Sequence, residues 1–196
     1  MRKWYMGLIA IFILAGCYQQ GSQPEENTTN EVVDLAEITI PDTVFQSEKT
    51  DASISEEEMK QSLQTYLDSS ANLYELRIHF ENFLDIEHSL DTSELEKLEK
   101  INALLEQNDH NFSDFISKNT LPEDFAEETE HISHYITAHN QYLIQLDQVF
   151  NELSDGEMTI EQLESLANVP EILNGREQQK IEDFLKEKEI QTNVFE

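Results

Sequence analysis

Trp4 to Leu14 is an almost uninterrupted apolar run, whereas beyond residue 55 the apolar positions recur every three or four residues, the period of an amphipathic helix. Ser55 with Glu58 makes a capping box, and Met59, Leu63, Tyr66, Leu67, Tyr74, Ile78, Phe83 and Leu84 carry a stripe to about Ser89. Asp91-Thr92-Ser93 restarts the chain. Ser93 and Glu96 offer a second box, and Leu95, Leu98, Ile101, Leu105, Phe112 and Phe115 predict a helix to about Lys118. Thr120 pairs with Glu123 across Pro122, which sits at the first helical position, where proline is tolerated best.

The helix that follows has the cleanest pattern. Phe125, Thr129, Ile132, Ile136, His139, Leu143, Leu146, Phe150 and Leu153 recur at alternating spacings of four and three, a heptad seam with His139 on it. Such a period suits neighbours packed at a shallow angle, and short loops near residues 90 and 120 impose an up-down-up order. Asp155-Gly156 ends the helix. A short helix is predicted at about Thr159 to Ala167, and after Pro170 a last one capped by Asn174 and Glu177 carries Ile181, Phe184 and Leu185. No glycine occurs between Ser22 and Asp155, as long helices require. The expected fold is all-α: an antiparallel bundle of three long helices with two shorter C-terminal helices folded back, preceded by a signal peptide and a disordered tether.

Arg2 and Lys3 ahead of the apolar run, and the small residues Ala15-Gly16 after it, are the anatomy of a signal peptide. Spanning a bilayer takes about 20 apolar residues, and this run is too short. Leu14-Ala15-Gly16-Cys17 resembles a bacterial lipobox. The resemblance implies that the Cys17 sulfur receives a diacylglyceryl group and that the bond before it is cut, leaving an ectodomain held to the outer face of the membrane by its lipid. Cys17 is the only cysteine, so no disulfide braces the fold.

Residues 17–54 read as a flexible tether, rich in Gln, Ser, Thr, Asn and Glu, with Pro24 and Pro41 and no sustained period. Val32, Val33, Leu35, Ile38, Ile40, Val44 and Phe45 form an apolar island within it, which either packs on the domain or binds a partner. The helical domain is expected over 55–190 and a tail over 191–196. Charge narrows the partners further. The chain has 12 Lys and Arg against 41 Asp and Glu, a net charge of −29, and loss of Arg2 and Lys3 would leave −31. The scattered basic residues exclude nucleic acid, whose binding needs clustered cations.

With Asn108-Asp109-His110-Asn111-Phe112, then Leu173-Asn174-Gly175-Arg176-Glu177-Gln178 and the end at Asn193-Val194-Phe195, the chain resembles the NDxF-motif lipoproteins of Gram-positive bacteria. Asn111 departs from the motif by standing before Phe112. The resemblance carries over no catalytic residue.

Two constellations approach metal chemistry and fall short of it. Glu128 and His131 have Glu-x-x-His spacing, with Glu127, Glu130, His134 and His139 nearby, but a di-metal bundle needs a second such pair, and these two turn away from the seam toward solvent. Asp155-Gly156-Glu157 mimics a calcium loop, yet the register puts Asn151 first, Leu153 third and Gln162 twelfth, where leucine cannot ligate and glutamine replaces the bidentate glutamate. No nucleophile elbow or phosphate-cradling loop is present. The sequence assigns no catalytic, cofactor or metal residue and one lipidation site, Cys17. It points to a lipid-anchored helical binding or scaffolding module of the cell envelope with an unidentified envelope partner; the alternative is an enzyme or a cation-handling lipoprotein whose site is assembled from distant residues.

Overall fold

Each long helix begins where a side chain can take up backbone N–H groups that the first turn leaves unpaired. The structure, a computed structural model, describes residues 35–83, 90–154, 159 and 168–195. Ser55 Oγ accepts from Glu58 N at 3.3 Å ahead of α1 (Glu56–Phe83), and three glutamates in its first turn suit the positive end of the helix dipole. α2 (Thr92–Ser117) is capped by Asp91, two residues before the cap expected at Ser93. Asp91 accepts from Glu94 N at 2.9 Å and its own N–H donates to Glu94 at 2.7 Å. The two boxes overlap, and the earlier one places a full negative charge at the helix start. α3 (Glu123–Ser154) follows Pro122, whose carbonyl accepts from Phe125 N at 3.0 Å. In α4 (Gly175–Glu187) the Asn174 side chain accepts from Arg176 N at 3.0 Å and Glu177 N at 3.1 Å, the cap its sequence predicts.

Among the described residues there are four helices, one 3-10 turn at Leu35–Glu37 and no strand, so the fold is all-α. The signal peptide over 1–16, Cys17, the tether as far as residue 34, the first helix beyond Phe83 and the Asp155-Gly156 turn lie outside the described residues. So does the helix expected at 159–167, apart from Thr159.

Partner numbers rise on α1 as they fall on α2: Tyr66 meets Asp109 and Arg77 meets Asn102, so the two run in opposite directions. Asp109 with Asn140 and Asn102 with Asp147 show the same for α2 and α3. α2 packs along both neighbours, while α1 and α3 meet more sparingly.

Two apolar clusters fill the interior. One gathers Met59, Leu63 and Leu67 with Phe112, Phe125, Ile132 and the α4 residues Ile181, Phe184 and Leu185; the other holds Leu73, Phe80, Leu98, Ile101 and Leu105. Residues 35–54, the end of the expected tether, belong to these clusters, and of the two readings of the apolar island within them the described part takes the first, packing on the domain. Leu35 and Val44 enter the second, and Phe45 and Ile54 the first. Lys97 Nζ donates to the Leu35 and Ala36 carbonyls at 2.7 Å each. Asp51 N and Ile54 N donate to the Lys118 and Thr120 carbonyls, and Thr120 N returns a bond to Ala52. Buried side chains and paired backbone make this segment a strap: apolar burial and backbone hydrogen bonds together offset the entropy of ordering it. Val194 and Phe195 of the expected tail also pack on the first cluster.

The α3 seam drifts from its heptad register. Phe125, Thr129, Ile132 and Ile136 are buried, but the next buried position is Asn140 rather than His139, which is only half-buried. A straight helix turns every 3.6 residues, so a strict seven-residue repeat slips by about 20° per heptad. Leu95, expected on the α2 stripe, is exposed, and Leu104 is buried instead.

Candidate functional site

The α2 stripe Leu98, Ile101, Leu105, Phe112 and Phe115 leaves one seam position open, and Asn108 stands there with Asp109 beside it. Both are buried. Asn108 Oδ1 accepts from Phe45 N at 3.0 Å and its Nδ2 donates to the Tyr66 carbonyl at 3.1 Å, while Asn111 Nδ2 donates to the Phe45 carbonyl at 2.8 Å. Two amides thus pin the strap by its backbone. Phe112 stacks on Tyr66 with ring centroids 4.1 Å apart and meets Phe45 edge-on at 5.2 Å.

Asp109 links all three long helices. Tyr66 Oη donates to its Oδ1 at 2.7 Å and Asn140 Nδ2 to its Oδ2 at 3.0 Å, and Asn140 Nδ2 also stands 3.5 Å from Ser70 Oγ. Burial pushes the Asp109 carboxyl up to about 6, against the pull of the Asn140 and Tyr66 donors. The Tyr66 hydroxyl is raised well above its ordinary value, first by burial and then by the neighbouring carboxylate.

A second polar node lies further along the same interface. Arg77 is 1 % exposed, yet its guanidinium pairs with Glu81 one turn on, with Asp147 at 2.7 Å and with the Leu143 carbonyl at 2.8 Å. Asn102 accepts from Arg77 Nε at 3.3 Å and donates to Asp147 at 3.2 Å. Burial raises the Glu81 carboxyl, with Arg77 opposing it. The planar fork of arginine reaches several partners at once, as an ammonium could not.

Because α1 and α3 meet sparingly, a cleft of about 800 Å³, open to solvent, lies between them and the C-terminal segment 191–195. Asn72 and Tyr74 of α1, His139 of α3, and Gln191, Asn193 and Phe195 line it. Its inner wall includes Ser70 and Asn140, so the hydrogen-bonded chain to Asp109 ends at the cleft. The His139 ring meets Tyr74 edge-on at 5.5 Å. Burial holds its imidazole below the usual range; the Arg77 charge adds to this and a contact with Asn140 opposes it. His139 was expected as a seam residue among apolar neighbours, and it instead borders this cleft for the reason of helical drift given above.

His131, expected on a solvated face, is covered by α4: its Nε2 lies 3.2 Å from Glu177 and its Nδ1 3.8 Å from Glu128. His134 is exposed. The partner helix is remote in sequence, so no local pattern on α3 announces this contact. Among the described residues, no group of three or more His, Cys, Asp or Glu converges as metal ligands would. None of the described helices is long and apolar enough to cross a membrane. Cys17 and the calcium-loop mimic at Asp155 lie outside the described residues. Sequence reasoning missed Arg77 and Asn140 and quoted Asp109 within a motif without a role; the legible signal was a polar side chain on the α2 seam at Asn108. The chain matches no protein-family model, and searches of curated proteins and of solved structures find no similar protein.

Proposed function

We propose that this protein is a lipid-anchored lipoprotein on the extracytoplasmic face of the cell membrane, acting as a binding or scaffolding module of the envelope. In this reading residues 1–16 are removed as a signal peptide and the diacylglyceryl group on Cys17 holds the chain. Two acyl chains, at about 0.8 kcal/mol per buried methylene, anchor stably where one does not. The helices form an antiparallel bundle with the shorter C-terminal helices folded back, and a tether over 17–34 carries it. The observation that supports binding is the open cleft between α1, α3 and residues 191–195, whose size falls within the range of small-molecule sites, about 300–1,000 Å³.

Two measurements test the halves of this reading. Cys17→Ser abolishes incorporation of a labelled fatty acid; incorporation that survives the substitution removes the anchor. A photo-crosslinking side chain at Asn72, in the cleft, forms a discrete adduct with an envelope component on intact cells, and one at the exposed Glu99 of α2 does not. Equal labelling at both positions, or none at Asn72, overturns the cleft as the binding site.

A further inference from the structure

The walls of the cleft describe the ligand they suit. No lysine or arginine lines it, and its one basic side chain, His139, is held toward the neutral form by burial. On a chain of net charge −29, an anion would find no counter-charge there and a repelling field on approach. The polar lining is instead dominated by carboxamides. Gln64, Asn72, Gln191 and Asn193 are exposed in the cleft and make no side-chain hydrogen bond among the described residues. Each offers two N–H donors and a carbonyl acceptor.

That inventory separates the two ligand classes left. An ammonium or guanidinium group brings donors only. It would engage Asp68 and Glu75, which also line the cleft, but would leave every amide N–H of the wall unmatched. A hydroxyl both donates and accepts, so a neutral polyol can use both ends of each amide. The hydroxyl of Ser70 and the amide of Asn140 extend the same chemistry into the wall, where both side chains are 3 % exposed. Tyr74, Tyr135 and Phe195 supply ring surface on which the C–H faces of a sugar can lie, and Phe195 meets Tyr135 edge-on at 5.9 Å.

We propose that the cleft binds a neutral saccharide, held by the unpaired amides of Gln64, Asn72, Gln191 and Asn193 and by the aromatic rings of Tyr74 and Phe195. This rests on the reading of the cleft as the binding site and names the class of its ligand.

The test is a titration of the full chain, in a sugar-free uncharged detergent, with a panel of neutral di- to tetrasaccharides that includes N-acetylglucosamine and glucose oligomers. Spermidine and a lysine-rich peptide form the comparison arm. Backbone amide shifts are followed by nuclear magnetic resonance. The expected result is saturable binding of at least one saccharide, with shifts confined to the cleft residues. Asn72→Ala and Gln191→Ala, both at exposed positions outside the core, each weaken it about tenfold, the loss of roughly one hydrogen bond to the ligand, whereas Glu99→Gln leaves it unchanged. Cleft shifts produced by spermidine or the peptide while every saccharide is silent overturn the ligand class but leave the cleft as a binding site. Silence in both arms overturns the saccharide, and the crosslinking at Asn72 then decides separately whether the cleft binds at all. Saccharide shifts that neither alanine variant weakens overturn the site.

Discussion

Asp109 accepts a hydrogen bond from Asn140, and His139 is the residue before Asn140 in α3; the ionisations of Asp109 and His139 pull stability in opposite directions. The folded state raises the Asp109 carboxyl from about 3.9 in an unfolded chain to about 6. Between those values the native protein holds more protons than the unfolded one, so this group makes the fold more stable as pH falls from about 6 toward 4. His139 is lowered, so below about pH 6.5 the unfolded chain binds a proton that the fold resists, and stability is lost with acidification. Asp109→Asn should therefore steepen the net acid loss between pH 6 and 4, and His139→Leu should remove the loss below 6.5 while leaving stability at pH 7 within about 1 kcal/mol. Urea melts of both variants at pH 7, 5.5 and 4.5 check this, and parallel pH profiles for the two would refute it. Thr129 offers a simpler case. It is fully buried, and its hydroxyl has no partner among the described residues. Thr129→Val keeps the shape and removes the desolvated oxygen, and should raise stability by about 1 kcal/mol, read as a higher denaturant midpoint at unchanged slope.

At the scale of elements, the start of α2 shows how neighbouring signals compete. Asp91-Thr92-Ser93-Glu94-Leu95-Glu96 contains two overlapping capping boxes, and the one used is that of Asp91 and Glu94. Asp91→Ala should cost about 1 kcal/mol and Ser93→Ala less than about 0.5 kcal/mol. Thermal melts that rank the two the other way would restore the later start. The strap shows the same competition over a longer span: its polar composition suggests a spacer, yet Leu35, Val44, Phe45 and Ile54 are buried, and Asn108, Asn111 and Lys97 hold its carbonyls and N–H groups. The residues on which the lipoprotein resemblance rests serve these joints. Asn108 and Asn111 clamp the strap, Asn174 caps α4, and Glu177 ties α4 to His131 of α3 while pairing with Lys180 within its own helix.

For the whole molecule, charge is the dominant long-range term. With 41 acidic and 12 basic residues, the carboxylates repel one another across the surface, and their field is screened over about 8–10 Å at 0.1–0.15 M salt. Sodium chloride should raise the melting temperature gradually up to about 0.5 M, and millimolar calcium should add little beyond its ionic strength. A saturable, calcium-specific rise in a thermal scan would reveal a bound ion and reopen the acidic turn at Asp155.

The chain's periodicity, caps and lack of glycine between Ser22 and Asp155 determined that it is all-α and where the helices start to within a residue or two, because helix formation depends on neighbours three and four residues away. The cap at Asn174 and the core residues Ile181, Phe184 and Leu185 were legible for that reason. Only the tertiary structure decided which face of α3 is innermost, since a small drift in register exchanges His139 for Asn140. It alone brought Asp109, Tyr66, Asn140 and Ser70 together, decided between packing and partner binding for the apolar positions of residues 35–54, and left α1 and α3 far enough apart for a cleft to open between them. Those outcomes depend on contacts between residues tens of positions apart, whose energies no local pattern records.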